Sequence, residues 1–226
     1  MLKRFITDHE AAREQAKEQL RNAIIHRCPI DTITAMLKAR PELADILISS
    51  DRSDDPNSQT YTALHVAVGF KRLDIITLLV EDFGANIRIT DFYATRDPPG
   101  LYPLRLAQAK LENDPTYLSI CEYLQRKENI IQLREAISRG DHVAVNRLIP
   151  IVGVDSNIAP HIRNQPQNYT ALHYAVEENR HDIVEILLVG HGIHLLLARN
   201  TAGQTPLELA VDRGLTNIVH LMQKHT

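Results

Sequence analysis

The sequence predicts an all-α protein, a solenoid of about six helix-turn-helix units joined by long hairpin or finger loops. The segment TALHVAV at residues 62–68 returns as TALHYAV at residues 170–176, which is 108 residues later. Self-similarity at a fixed spacing is typical of stacked repeat proteins. The apolar residues in and after each copy recur three and four positions apart, which is the spacing of one face of an α-helix.

The amino-acid composition disfavours several classes of protein. The chain has 226 residues, of which 44% are hydrophobic and 23% charged, so most of it should fold rather than stay disordered. The net charge of -3 gives no positive field for nucleic acid. Two cysteines, Cys28 and Cys121, predict inert thiols in a reducing, intracellular compartment. The absence of a long apolar run predicts no membrane span and no conventional secretion signal.

Three threonines mark the start of a first helix in the clearest units: Thr62, Thr170 and Thr205. Each hydroxyl can accept an amide hydrogen bond from the first helical turn. The residues that follow place leucine, alanine and valine on one face, where the small alanine lets a neighbouring helix approach. We expect these core positions to be Leu64, Ala67 and Val68, then Leu172, Ala175 and Val176, then Leu207, Ala210 and Val211.

A turn and a second helix follow each first helix. Gly214 marks the turn in the last unit, while Lys71 and Asn179 stand at the same place in the other two. Apolar residues at helical spacing then predict a second buried face in each unit. These residues are Ile75, Ile76, Leu79 and Val80, then Ile183, Val184, Leu187 and Leu188, then Ile218, Val219 and Met222.

These segments resemble ankyrin repeats, whose mark is a T-P-L-H-x-A run that opens a helix-turn-helix unit of about 33 residues. The resemblance covers nearly all of residues 20–226 and is strong in three units. YPLRLA at residues 102–107 is a weaker copy, with Tyr102 in place of Thr and Arg105 in place of His. The key leucines of the six units are Leu20, Leu64, Leu104, Leu133, Leu172 and Leu207, with spacings of 44, 40, 29, 39 and 35 residues.

The spacings predict how the chain is organised. The step of 29 residues is too short for both a second helix and a finger, so one finger is missing between the third and fourth units. We expect a single ankyrin-repeat domain over residues 1–226, with repeats 1–3 at 20–127, repeats 4–6 at 130–226 and a seam near 127–131. Two separately folding modules are the alternative, which a three-residue link disfavours. Long loops are expected at 49–60, 86–101, 153–168 and 193–204.

The N-terminal residues predict an extension of the first repeat. Thr7 and Glu10 form a T-x-x-E capping box, which predicts a helix from about Asp8 to Arg27. Residues 1–19 would then be a helical cap extension. Such a cap can be a lid over the first repeat, because the end of a stack needs a polar outer face, or it can be a partner-binding arm.

The motifs of catalysis are absent from the sequence. There is no GxGxxG, GxxxxGK[ST] or GxSxG segment, so we expect no catalytic residue and no cofactor site. His191 and His194 have an H-x-x-H spacing but no third ligand nearby, so we expect no metal site. The resemblance implies that His65 and His173 are structural, bonding to backbone and to the threonine of their own motif.

The resemblance also implies a concave groove lined by the fingers and the first helices. An exposed Phe70 beside Tyr61 and Tyr93 would anchor a partner, and the pair Glu177 and Glu178 would form an acidic stretch suited to Lys or Arg. The candidate residues in or beside the fingers, outside the helix core, are Tyr61, Phe92, Tyr93, Tyr102 and Tyr169, and those at helix positions facing the groove are Gly69, Phe70, Ala109, Lys110, Glu177, Glu178, Asp212 and Arg213.

We therefore interpret the chain as a monomeric, non-enzymatic module that binds another protein through this concave face. Nucleic acid and membranes are not expected partners. In the family such modules serve as adaptors, scaffolds, inhibitors, targeting parts and translocated bacterial effectors, so the expected location is the cytoplasm, or the host cytoplasm for an effector. One alternative is the recognition part of a larger enzyme. Another is an enzyme built on the repeats, which predicts a deep closed pocket with converging ionisable groups.

Overall fold

The computed structural model describes residues 2–46, 48–49, 59–93, 100–159, 168–191 and 193–225. Helices dominate this part of the chain and follow one another in antiparallel pairs, so the predicted all-α repeat fold is confirmed. The helices are α1 (Leu2–Ile25), α2 (Ile30–Ala39), α3 (Ala63–Gly69), α4 (Leu73–Thr77), α5 (Pro103–Leu111), α6 (Leu118–Arg139), α7 (His142–Val152), α8 (Ala171–Glu177), α9 (His181–His191), α10 (Pro206–Asp212) and α11 (Thr216–Gln223).

The pairs α1–α2, α3–α4, α8–α9 and α10–α11 form repeats 1, 2, 5 and 6. Helix α6 serves two repeats, because its first part pairs with α5 as the second helix of repeat 3 and its last part pairs with α7 as the first helix of repeat 4. The absence of a finger between repeats 3 and 4, predicted from the short spacing, follows from this continuous helix. Helix α4 continues into a π-helical turn at Leu78–Asp82.

The chain divides into two compact units, Met1–Gln125 and Arg126–Thr226, and the division falls within α6. We refer to them as the N-terminal unit and the C-terminal unit. The single-domain assignment and the seam near residues 127–131 stay predictions.

The N-terminal unit contains a small antiparallel sheet at the bases of its fingers. Strands β1 (Ile48–Ser49), β2 (Gln59–Tyr61) and β3 (Phe92–Tyr93) lie in that order, with β2 in the centre. The register places Ile48 opposite Tyr61 and Thr60 opposite Phe92. The tips of the predicted loops at 49–60, 86–101 and 153–168 lie outside the described residues.

Most of the apolar positions predicted from the repeat pattern are buried in the cores, while Val80, Leu207 and Val219 are half-buried. In the N-terminal unit the leucine, alanine and valine positions of α3 are fully buried, and so are Ile75, Ile76 and Leu79. The counterparts in α8 and α9 are equally buried in the C-terminal unit. Within each unit, consecutive helix pairs cover each other's apolar faces, and removal of this surface from water stabilises the unit.

The last repeat departs from the predicted core. Val211 was expected to be buried, but its side chain is 58% exposed, whereas Val68 and Val176 at the same place in repeats 2 and 5 are fully buried. The reason is that no described repeat follows repeat 6 and covers that face. The valine at this position is thus buried only in a repeat that is covered by a following repeat.

The start of α1 also differs from expectation. The predicted capping box at Thr7 and Glu10 is wrong, because α1 begins at Leu2 and Thr7 lies inside the helix. A threonine can cap only from a position outside the helical turn that it caps. The helix ends at Ile25, close to the predicted Arg27.

The turns between paired helices use a left-handed backbone. Arg27, Lys71, Gly140, Asn179 and Gly214 all have φ between 52° and 70°. Glycine adopts this conformation without steric cost, while a side chain makes it less favourable. The turn positions predicted at Lys71, Asn179 and Gly214 are confirmed, although two of them carry side chains.

An arginine after the turn ties repeat 2 to repeat 1 and repeat 5 to repeat 4. Arg72 donates three hydrogen bonds to Asp74, at 2.7, 2.9 and 3.2 Å, and others to the carbonyls of Ile24 and Cys28 near the end of α1. Arg180 similarly donates to Asp182 and to the carbonyl of Ser138 at the end of α6. Cations at helix C-termini are favourable because the last carbonyls lack helical partners.

Candidate protein-binding surface

A buried histidine fixes the base of the finger next to α3. The Thr62 amide donates to His65 Nδ1 at 3.2 Å, so the proton of the neutral ring lies on Nε2. That Nε2–H donates to the carbonyl of Leu101, just before repeat 3, at 2.8 Å. Burial lowers the pKa of His65, and the bond to Leu101 together with the carboxylate of Asp91 opposes this effect.

The same arrangement recurs in the C-terminal unit. His173 Nδ1 lies 2.9 Å from the Thr170 hydroxyl, and Nε2 lies 3.1 Å from the carbonyl of Gln204, just before repeat 6. Burial lowers the pKa of His173, opposed by the bond to Gln204. The structural role that the resemblance implied for both histidines is therefore confirmed, and each one joins two consecutive repeats.

Tyr169 belongs to the core rather than to an open finger. Its side chain is only 7% exposed and its ring stacks on that of His173, with centroids 5.6 Å apart. Tyr169 lies beside a helix rather than in one, as expected, but its side chain packs in the core of the C-terminal unit. Tyr169 therefore offers a partner little surface.

The predicted groove positions on the first helices are all solvent-exposed. They come in pairs at the C-terminal ends of these helices, directly before the turns, while most other residues of the same helices are buried. The pairs differ in chemistry from repeat to repeat: Gly69 and Phe70, Ala109 and Lys110, Glu177 and Glu178, Asp212 and Arg213.

Two members of the predicted aromatic cluster of the N-terminal unit, Tyr61 and Phe70, lie at opposite ends of α3. Phe70 is 41% exposed, but it follows α3 whereas Tyr61 precedes it, so a helix of seven residues, about 10 Å long, separates them. Tyr61 is half-buried, with the guanidinium of Arg21 6.0 Å from its ring centre. Phe92 and Tyr93 lie in β3, and their side chains are outside the described part of the structure.

Repeat 3 presents a polar rather than an aromatic surface. Tyr102 caps α5 from outside and is half-buried, and its hydroxyl accepts a hydrogen bond from Arg105 at 3.3 Å. The arginine at the histidine position of the motif thus bonds to the tyrosine at the threonine position. Lys110 is exposed near the end of the helix.

The expected acidic stretch of the C-terminal unit is partly neutralised. Arg213 donates to Glu177 at 2.6 Å, so two of the predicted binding residues pair with each other across α8 and α10. Asp212 accepts a hydrogen bond from Gln204. The expectation that Glu177 and Glu178 form an acidic stretch suited to a basic partner stays a prediction, with Glu177 already paired with a cation from the neighbouring repeat.

A groove between α6 and α8 was missed from the sequence. It has a volume of about 320 Å³, and Tyr174 from α8 lies in it with the C-terminal part of α6. The signal was present in the repeated segment itself, since TALHVAV carries Val66 where TALHYAV carries Tyr174. Val66 is 7% exposed, whereas Tyr174 is half-buried, so the tyrosine reaches the surface at a place where the valine does not.

The described residues show no site of another kind. No cluster of three or more His, Cys, Asp or Glu side chains within them could hold a metal ion. Within the same residues, no helix combines the length and the apolarity needed to cross a bilayer. Cys28 is half-buried and Cys121 is buried, both as free thiols, and burial raises the pKa of Cys121.

Comparison with protein families places the repeats. A model of a single ankyrin repeat matches residues 59–92, and a model of three ankyrin repeats matches residues 133–226. Together they cover more than half of the chain. The chain belongs to the ankyrin-repeat family. Ankyrin repeats generally act as protein–protein interaction modules and are typically not catalytic.

Two curated relatives of this ankyrin-repeat chain carry the name ATP phosphoribosyltransferase regulatory subunit, from two strains of Staphylococcus epidermidis. One is 28% identical over 89 residues, which is 38% of this chain and 33% of the relative. The other is 28% identical over 85 residues, 37% of this chain and 31% of the relative. The match thus spans about a third of the length of these relatives, and it assigns no catalytic activity to this chain.

Proposed function

We propose that this ankyrin-repeat chain binds a partner protein through the face formed by its fingers and first helices, and that it does so without catalysis. The chain acts as a monomer in this proposal. Its two free thiols suit a reducing, intracellular compartment.

The observation that carries the proposal is the pattern of exposure on the first helices. The residue pairs before the turns of repeats 2, 3, 5 and 6 are all exposed, and their chemistry changes from apolar to basic, acidic and mixed. Within each unit, the backbone beneath them is held by buried neighbours and by the histidine and arginine bonds between repeats. A preorganised surface of this kind loses little conformational entropy when a partner binds.

Affinity capture with a variant of this face tests the proposal. The variant replaces one exposed residue in each of four repeats: Phe70→Ala, Lys110→Ala, Glu178→Ala and Asp212→Ala. We expect the wild-type chain to retain a specific partner from candidate cell lysates, identified by mass spectrometry. The variant should bind that partner at least about tenfold more weakly, because a few exposed positions usually carry most of the binding free energy.

A matched variant on the second helices provides the control. Val143→Ala, Arg147→Ala, Val189→Ala and Lys224→Ala also change four exposed side chains, and this chain should bind like the wild type. Circular dichroism melts of both variants check that the fold is kept. Equal loss of binding in the two variants, or turnover of a substrate by the purified chain, would contradict the proposal.

A further inference from the structure

We propose that the α6–α8 groove binds an acidic side chain, aspartate or glutamate, of the partner protein. The inference rests on the proposed function, since it names the chemistry of the partner at one place on the binding surface. The α6–α8 groove is lined by Ile131, Arg134, Glu135, Ser138, Arg139 and Tyr174, all within the C-terminal unit.

The size of the α6–α8 groove fits part of a peptide rather than a whole ligand. Its volume of about 320 Å³ is at the small end of the range for ligand sites and accommodates one or two side chains. Ile131 and the ring of Tyr174 are half-buried and give it apolar surface, while the other lining residues are polar or charged. A side chain with a short apolar stem and a polar end matches this division.

The hydrogen-bonding groups of the α6–α8 groove favour a partner side chain that ends in a negative charge. Two arginines line it against one carboxylate, Glu135. Arg134 and Glu135 already have interactions within the chain. Arg139 is exposed, and no hydrogen bond or ion pair among the described residues occupies its guanidinium. A guanidinium has five donors and no acceptor, so a carboxylate is its best partner.

The hydroxyl groups of Ser138 and Tyr174 add two further hydrogen-bond donors to the groove. Ser138 Oγ and the Tyr174 hydroxyl oxygen lie 3.5 Å apart, which is long for an O–H···O hydrogen bond. Each hydroxyl can therefore turn toward an incoming acceptor. Of the other carboxylates at the end of α8, Glu177 is paired with Arg213 and Glu178 does not line the groove. The net charge of -3 argues against a polyanion and for a single carboxylate.

Selection of peptides tests this chemistry without knowledge of the natural partner. A random peptide library displayed on phage is selected against the immobilised 226-residue chain, and dissociation constants are measured for the selected peptides. We expect an aspartate or glutamate at a fixed position. Its replacement by the amide should weaken binding about tenfold, which is the effect of losing a hydrogen bond to a charged group.

The matching substitution in the chain is Arg139→Gln. It should weaken binding about tenfold for the acidic peptide and little for its amide form, so that the two changes are not additive. Tyr174→Phe, which removes only the hydroxyl, should weaken binding a few-fold. Arg147→Gln on α7 is the control, because Arg147 is an exposed arginine outside the groove and should leave binding unchanged.

The outcomes separate this inference from the proposed function. Two results would overturn the inference: selected peptides without an acidic position, or equal responses of binding to Arg139→Gln and Arg147→Gln. The proposed function would still stand if the four-residue variant of the first-helix face loses its partner. Failure to select any peptide, together with capture that is insensitive to the four-residue variant, overturns both.

Discussion

His65 and His173 each join two consecutive repeats through one neutral ring. In His65 the threonine side of the motif bonds to Nδ1, and Nε2 carries the proton that reaches the backbone of the next repeat at Leu101. Protonation would place a second proton on Nδ1 and abolish its acceptor role toward the Thr62 amide. The fold therefore requires the neutral form.

This requirement predicts a pH-dependent stability. Burial lowers the pKa of both histidines in the folded chain below the unfolded value of 6.5, so the unfolded chain binds more protons in acid. The contribution of the two histidines to the free energy of unfolding should have its full value above about pH 6.5. Below that pH it should fall by at most about 1.4 kcal/mol per pH unit for each histidine. Urea unfolding at pH 7.5, 6.5 and 5.5 measures this slope.

Substitution of the two histidines shows whether they cause the slope. His65→Asn with His173→Asn should lower the stability at pH 7.5 but flatten its dependence on pH. His220→Asn changes an exposed histidine of α11 and should keep the wild-type slope. An unchanged slope in the double variant would show that other groups titrate in this range.

At the residue scale, the contacts that could be predicted from the sequence are those between residues of one motif. Threonine and histidine lie three residues apart, so their contact follows from helix geometry. The contacts of Arg72 and Arg180 were not predicted, although the pattern R-x-D recurs at residues 72–74 and 180–182. Their additional acceptors, such as the carbonyls of Ile24 and Ser138, lie more than 40 residues earlier, and no local pattern reveals such a contact.

At the scale of elements, the helix pairs depend on the left-handed residue between them. Lys71 compensates for the unfavourable backbone, since it forms an ion pair with Asp114 and its ammonium lies 5.1 Å from the ring centre of Tyr117. Asn179 has no such contact beyond its turn among the described residues, and asparagine tolerates this conformation better than most residues. Gly140 and Gly214 meet the requirement directly.

Substitutions at these turns should change stability in a defined order. Asn179→Gly should stabilise the chain by about 0.5 kcal/mol, because glycine removes the strain of a side chain at positive φ. Gly214→Ala should destabilise it by about 1 kcal/mol from backbone strain alone, since a Cβ there meets no atom within 4 Å. Gly140→Ala should cost more, because its Cβ would displace the Arg180 guanidinium that bonds to Ser138. Urea midpoints of the three variants test this order.

The order itself is the control in that series. A Gly214→Ala variant as unstable as Gly140→Ala would mean that the displacement of Arg180 contributes nothing. A loss of stability in Asn179→Gly would mean that the asparagine side chain makes a contact that outweighs its strain.

Element boundaries were predicted well where a cap marks them and poorly elsewhere. The threonine caps of α3, α8 and α10 lie at the predicted residues. The start of α1 was wrong because a T-x-x-E pattern also occurs inside helices. Val211 was misassigned because the periodic pattern describes a repeat with neighbours on both sides, and the last described repeat has one.

At the scale of the whole molecule, the sequence predicted which positions of the first helices are exposed better than it predicted the interactions of their side chains. The exposed ends of the first helices follow from the repeat register. The pairing of Glu177 with Arg213 and the burial of Tyr169 depend on which side chains adjacent repeats bring together. The α6–α8 groove likewise depends on which side chains of α6 lie next to Tyr174, and the repeat spacing does not reveal this.

The two compact units should respond separately to local damage. Leu79 and Leu187 are fully buried equivalents, 108 residues apart, one in each unit. Leu187→Ala leaves a cavity that costs about 2–5 kcal/mol, and in a stack this cost falls mainly on the repeats that contact it. Amide hydrogen exchange should therefore lose protection chiefly in residues 126–226, and Leu79→Ala should give the reverse pattern in residues 1–125. Uniform loss of protection along the whole chain in both variants would show one cooperative domain, without a seam near residues 127–131.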